Sequence, residues 1–166
     1  MADERLPGNG DLDELEVQAD AAADFIEELL SRMDIDAIAE PNEHAGHMYV
    51  DILDGPEDDM SLLIGSNGQT LEAIQELTRM AVGRRLDQRV RVIVDVEDYR
   101  KRREERLGER ARELAERVRE TGREEELEPM NSYERKLVHD AVAEIEGVET
   151  LSRGEDPERY VVISPA

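Results

Sequence analysis

From Val17 onward, apolar residues recur at steps of four and three: Val17, Ala21, Phe25, Ile26, Leu29 and Met33. That spacing predicts a helix from about Leu15 to Met33. Two extended runs follow, Ile35 to Glu40 and His47 to Leu53. In the second, Met48, Val50 and Ile52 alternate with His47, Tyr49 and Asp51, and Pro41, Asn42 and Gly46 supply a turn between the runs. Asp58 to Ile64 reads as a short helix stopped by Gly65. Gln69 to Val82 reads as a second, with Leu71, Ile74, Leu77 and Ala81 on its apolar face and Gly83 as its end. Arg89 to Val96 then places Val90, Val92, Val94 and Val96 on one side of a strand. The order is helix, strand, strand, helix, helix, strand.

A long charged helix is predicted from Asp98 to Thr121, closed by Gly122. Leu107, Ala111, Leu114 and Val118 form its buried stripe, and Arg103, Arg106, Arg110 and Arg117 line a neighbouring face. Glu126 to Pro129 is a short extended piece. Asn131 has the chemistry of an N-cap, and Glu134 three residues on completes a capping box. The helix it opens runs to about Ile145, burying Leu137, Val138, Ala141, Val142 and Ile145, and Gly147 stops it. Val148 to Arg153 and Arg159 to Ser164 pair as a hairpin across Gly154 to Glu158. The expected fold is α+β in two small domains, residues 15–97 and 98–166. Residues 1–14, with Pro7, Gly8, Gly10 and a surplus of acids, read as a disordered acidic tail.

Composition narrows the function. The 166 residues contain no Cys, which removes disulfides, thiolate nucleophiles and Cys-based zinc sites. No apolar run reaches the ~18–20 residues needed to span a bilayer, and the acidic N-terminus lacks the pattern of a signal peptide, so a soluble cytoplasmic protein without membrane insertion is expected. The formal charge is −22 from 43 acids and 21 bases, and half of that excess lies in residues 1–40. Such a total opposes nucleic acid. Locally the balance reverses: Arg79 to Arg103 holds nine bases against four acids. Phosphate contacts depend on that local surplus.

The segment Ile64-Gly65-Ser66-Asn67-Gly68 lies between two predicted helices. Two glycines permit a tight turn, and the helix that follows aims its N-terminal amides at the loop, an arrangement suited to a phosphate. No Lys-Ser/Thr pair follows, so this is not a nucleotide P-loop. With Leu62, Leu63 and Ile64 before it and the element order around it, the segment resembles the signature of a KH domain of the helix-first, type II topology. The resemblance implies that the loop clamps the backbone of about four single-stranded nucleotides. Ser66 and Asn67 stand where many members carry Lys or Arg. The ring count agrees: Phe25, Tyr49, Tyr99, Tyr133 and Tyr160 are too few for a base-stacking platform.

Arg135 and His139 lie four apart, one helical turn separated, flanking the apolar stripe of their helix. The stretch Leu127-Glu128-Pro129-Met130-Asn131-Ser132-Tyr133-Glu134-Arg135-Lys136-Leu137-Val138-His139 closely resembles the Arg-xxx-His domain, a small α/β single-stranded nucleic-acid binding fold with a three-strand sheet. Its named arginine and histidine fall on Arg135 and His139. A KH domain joined to this domain by a basic helix is similar to the Jag (SpoIIIJ-associated, KhpB-like) family of bacterial RNA-binding proteins. That resemblance implies single-stranded RNA as ligand, with contacts from Ile64 to Gly68, from Arg100, Lys101, Arg102 and Arg103, and from Arg135 and His139. It further implies post-transcriptional regulation linked to cell envelope growth and division, and a small stand-alone KH protein as partner.

Other chemistry finds little support. Glu43, His44 and His47 are poorly spaced for a metal and have no fourth ligand. No nucleophile sits beside a base, and His139 has no second catalytic group. Neither cofactor nor enzyme activity is expected. The rival function is a protein–protein scaffold built on a KH fold that has lost RNA affinity.

Overall fold

The first helix, α1, spans Asn9–Arg32 in a computed structural model that describes residues 9–44 and 46–166. Residues 9–14 are therefore helical rather than tail, and residues 1–8 lie outside the described residues. Asp11 in the first turn complements the positive end of the helix dipole, which helps the helix start early. The buried face is Leu15, Ala19, Ala22, Ala23, Ile26 and Leu30, while Val17 and Met33 of the expected stripe are exposed. Three alanines on that face let the sheet approach closely, and the larger Phe25 and Leu29 pack at its margin.

β1 (Ile38–His44) and β2 (His47–Leu53) form an antiparallel hairpin, with Ala39 opposite Ile52 and Glu43 opposite Met48. Pro41 and Asn42, expected in the turn, lie inside β1. The sheet order β1-β2-β3 makes β1 an edge strand, where a residue without an N–H is tolerated. α2 (Glu57–Ile64) opens with three acids, Glu57, Asp58 and Asp59. A short 3-10 turn, Ser66–Gly68, connects it to α3 (Gln69–Leu86).

α3 does not end at Gly83. It continues to Leu86 and closes on Asp87 in the left-handed conformation, whose N–H donates to the Gly83 carbonyl. Gly83 is needed for another reason: the returning chain crosses it, and a Cβ there would lie 3.0 Å from the Gln88 carbonyl oxygen. The buried face of α3 is Leu71, Ile74, Gln75, Thr78 and Val82, so Leu77 points to solvent. Sequence periodicity misplaces this face because two of its members are polar.

Gln75 has a structural task. Its amide donates to Val92 O at 3.0 Å and its carbonyl accepts from Val94 N at 2.7 Å. Gln18, fully buried on α1, clamps the preceding residues in the same way: it donates to Arg89 O at 3.2 Å and accepts from Arg91 N at 2.9 Å. β3 is consequently only Ile93–Val96, paired in parallel with β2. The strand expected from Arg89 begins only at Ile93; the residues before it bury Val90 and Val92 and bond to glutamine side chains rather than to a neighbouring strand.

The first compact unit ends at Tyr99, and the second comprises Arg100–Ala166. α4 (Tyr99–Thr121) buries Leu107, Ala111, Leu114, Ala115 and Val118. α5 (Ser132–Val142) covers the same face of a sheet ordered β4-β6-β5, built from β4 (Glu125–Glu126), β5 (Val148–Arg153) and β6 (Tyr160–Pro165). Val161 and Ile163 of the central strand complete this core with Met130, Val138 and Val142. Both units are thus mixed α+β with a three-stranded sheet. Among the described residues no helix is long and apolar enough to cross a membrane.

Candidate nucleic-acid interface

The α2–α3 loop is shaped by its glycines. Gly65 adopts φ 71° and caps α2 by donating its N–H to Ser61 O at 2.9 Å. A side chain is excluded there twice over: the φ is left-handed, and a Cβ would collide with the Thr70 hydroxyl and come within 2.9 Å of the Thr70 amide nitrogen. Gly68, at φ 78°, is buried beneath Tyr99, and a Cβ would sit 2.8 Å from the ring carbon Cε1. Asn67 between them is also left-handed, at φ 53°. These constraints lift Ser66 and Asn67 into solvent, where both are exposed. The N-cap residue of α3 beside them, Gly68, has no side chain to cap the first amides. Before the loop, Leu63 is core, Ile64 is half-buried and Leu62 is 58% exposed, so one apolar residue of the Leu-Leu-Ile run remains on the surface near the loop.

The α5 N-terminus is built on one carboxylate. Asn131 Oδ1 accepts from Glu134 N at 2.9 Å, and Glu134 Oε2 accepts from Asn131 N at 3.2 Å, which is the capping box expected from the sequence. The second oxygen, Oε1, accepts from Arg103 Nε at 2.9 Å, with both side chains largely buried. Arg103 therefore ties α4 to α5 and is not an open cation. Its Nη2, like Arg159 Nε, is buried without a hydrogen-bond partner among the described residues. Lys101 and Arg102 are exposed, and Arg100 is half-buried.

Arg135 is buried, contrary to the expectation that it flanks the apolar stripe. Its Nη1 donates to Met130 O at 2.7 Å and to Asp156 Oδ1 at 2.9 Å. The guanidinium joins the loop before α5 to the β5–β6 turn, and a helix position chosen for solvated charge is instead internal. His139 is half-buried and faces β5: Nδ1 lies 2.6 Å from Thr150 Oγ1 and Nε2 lies 3.1 Å from Ser152 Oγ. Arg135 and His139 thus engage different partners and do not form one cationic pair. Sequence reasoning missed Asp156, Thr150 and Ser152. Nothing local marks Asp156, but two hydroxyl residues at alternate positions on the inward side of a strand are a detectable signal.

Elsewhere, His44 and His47 face one another in register at the end of the β1–β2 hairpin, both exposed. Among the described residues no group of acids and histidines is arranged to hold a metal ion. On β2, burial pushes the Asp51 carboxyl above its ordinary value and nearby Asp98 adds to this, while the Asn42 hydrogen bond at 3.1 Å and the charge of His44 oppose it.

Comparison with known proteins adds two findings. The Arg-xxx-His domain family matches residues 105–165. The RNA-binding protein KhpB of Clostridium symbiosum is 40% identical over 151 residues, covering 90% of this chain and 67% of that protein. The RNA-binding protein KhpB of Bacillus subtilis is 43% identical over 106 residues, covering 63% of this chain and 51% of the relative. That of Streptococcus pneumoniae is 30% identical over 141 residues, covering 84% and 42%. The chain spans two-thirds of the first relative and about half or less of the other two.

Proposed function

The chain belongs to the KhpB (Jag, SpoIIIJ-associated) family, and from that premise we propose that it is a non-enzymatic, cytoplasmic, single-stranded RNA-binding protein. The observation that carries this reading is the Gly65–Gly68 loop. Two sterically obligate glycines hold an exposed two-residue tip beside the glycine-capped N-terminus of an 18-residue helix. Backbone amides in that setting favour a phosphate, even where the tip carries Ser66 and Asn67 in place of cations. The order α1-β1-β2-α2-α3-β3 supports treating this unit as a type II KH-like domain. Ile64 and exposed Leu62 would supply apolar contact for a base.

In the second unit, contact with the strand falls to His139 and the Thr150 and Ser152 hydroxyls, with Lys101 and Arg102 adding charge. Arg135 acts as a positioning residue that fixes two loops. The regulatory role of the family, post-transcriptional control linked to envelope growth and division with a small stand-alone KH protein as partner, belongs to the same proposal.

One observation favours the rival reading of a protein–protein scaffold: Arg103 and Arg135, two of the cations expected to meet RNA, are occupied by Glu134 and Asp156. Titration with labelled single-stranded RNA, single-stranded DNA and duplex RNA at two salt concentrations separates the readings. RNA binding predicts a preference for the single strand and a shallow salt slope, about −2 to −4 at ~0.7 per phosphate. Equal binding to duplex, or none at low salt, favours the scaffold.

A further inference from the structure

The described arginines of the first unit divide into two groups. Arg32, Arg79 and Arg91 face Glu28, Glu76 and Asp11 respectively. Arg84, Arg85 and Arg89 are exposed and have no acidic partner among the described residues, although the chain carries about twice as many acids as bases. They are also held together. Arg84 and Arg85 occupy the last turn of α3, and the chain then reverses at Asp87, where Gln88 N donates to Gly83 O at 3.2 Å. The close crossing at Gly83 brings the segment bearing Arg89 back against that turn. Buried Gln18 fixes the backbone on both sides of Val90, directly after Arg89, through Arg89 O and Arg91 N. The result is a hydrogen-bonded turn that carries three guanidinium groups around Asp87, none of them within ion-pair distance of an acid among the described residues.

Resting on the RNA-binding reading above, we propose that Arg84, Arg85 and Arg89 form a second phosphate-binding surface for the same RNA strand. It lies at the opposite end of α3 from the Gly65–Gly68 loop, roughly 27 Å away for an 18-residue helix at ~1.5 Å per residue. Guanidinium groups suit phosphate oxygens because their paired N–H donors match the anion's geometry. Complementing the α3 dipole explains Arg84 and Arg85 as helix residues, but not Arg89, which lies beyond the helix. A strand engaged at both ends of α3 must be longer than the ~4 nucleotides a loop of this kind holds.

The test uses the full chain and two single-stranded RNAs, one of about 4 nucleotides and one of about 12, within the range of single-strand binding sites. The variant Arg84→Gln/Arg85→Gln/Arg89→Gln should bind the short RNA as the unchanged protein does. For the long RNA its affinity should fall and the slope of log affinity on log salt should flatten by about two units, at ~0.7 per phosphate. Arg89→Gln alone, outside the helix, should flatten it by ~0.7 and guards against a folding defect in the triple variant. If the unchanged protein binds long RNA and the variants match its slope, the second surface is wrong while the RNA reading stands. If the unchanged protein binds neither RNA, both fall. Capture of polyglutamate by the unchanged protein but not the triple variant, with RNA slopes equal, would assign the patch to an acidic polypeptide and overturn the proposal.

Discussion

Arg135 of α5 and Asp156 of the β5–β6 turn form an ion pair at 2.9 Å in which the arginine side chain is 8% exposed and the aspartate 64%. The asymmetry decides what each residue is worth. Removing Arg135 also strips the buried Met130 carbonyl of its donor, a loss of about 1–3 kcal/mol. Removing Asp156 takes away an exposed carboxylate but leaves the buried guanidinium bonded to Met130 O, a smaller loss because no buried acceptor is orphaned. Arg135→Ala should therefore lower the melting temperature by several degrees and Asp156→Ala by much less, read in the same thermal scan. Equal shifts would mean that the Met130 bond contributes nothing and that the pair alone matters.

His139 should behave differently from any cation. Both ring nitrogens face hydroxyls, Thr150 Oγ1 and Ser152 Oγ, and no carboxylate, so its contact with a strand is a hydrogen bond or a stacking interaction rather than charge. His139→Ala should weaken single-stranded RNA binding with an unchanged salt slope at neutral pH. Thr150→Val, which removes the hydroxyl 2.6 Å from Nδ1 at nearly constant volume, should weaken it less by loosening the ring. A flattened slope in His139→Ala would show a protonated ring meeting phosphate. A loss of affinity matched entirely by the fraction unfolded would remove His139 from the interface.

Asp51 makes stability depend on pH in a definite direction. Burial raises its carboxyl above the ordinary value, so the folded state keeps that proton to higher pH than the unfolded state does. Its contribution therefore worsens as pH rises from about 4 through the folded-state value. Asp51→Asn should melt higher than the unchanged protein at pH 7, and the gap should close towards pH 3, where both side chains are neutral. Melting curves across that range check it, and a gap independent of pH would place the cause elsewhere.

Element order and type were legible because most helices and strands carry strong apolar periodicity, and the Asn131–Glu134 capping box could be read from two letters at the right spacing. Errors gathered where polar side chains do structural work. The buried face of α3 contains Gln75 and Thr78, so periodicity alone assigned Leu77 to the core. The stretch from Arg89 reads as strand because its valines alternate, yet Gln18 and Gln75 rather than a strand satisfy much of its backbone. Arg135 looked like surface charge because its partner Asp156 lies 21 residues away and its second acceptor is a carbonyl, which has no sequence signature. The Gly65–Gly68 loop was legible for the opposite reason, since left-handed backbone and close approach both demand glycine.

The most direct measurement of the RNA-binding account is the affinity of Ser66→Asp/Asn67→Asp for single-stranded RNA, taken beside the unchanged protein with a melting curve for each. Both positions are exposed, so the fold should persist, while two carboxylates would face the phosphates the loop is built to admit, a penalty of several kcal/mol for close like charges. The account predicts a loss of at least about tenfold, which corresponds to ~1.4 kcal/mol, with an unchanged melting temperature. Unchanged affinity in a folded variant would contradict it and reduce the loop to a turn between two helices.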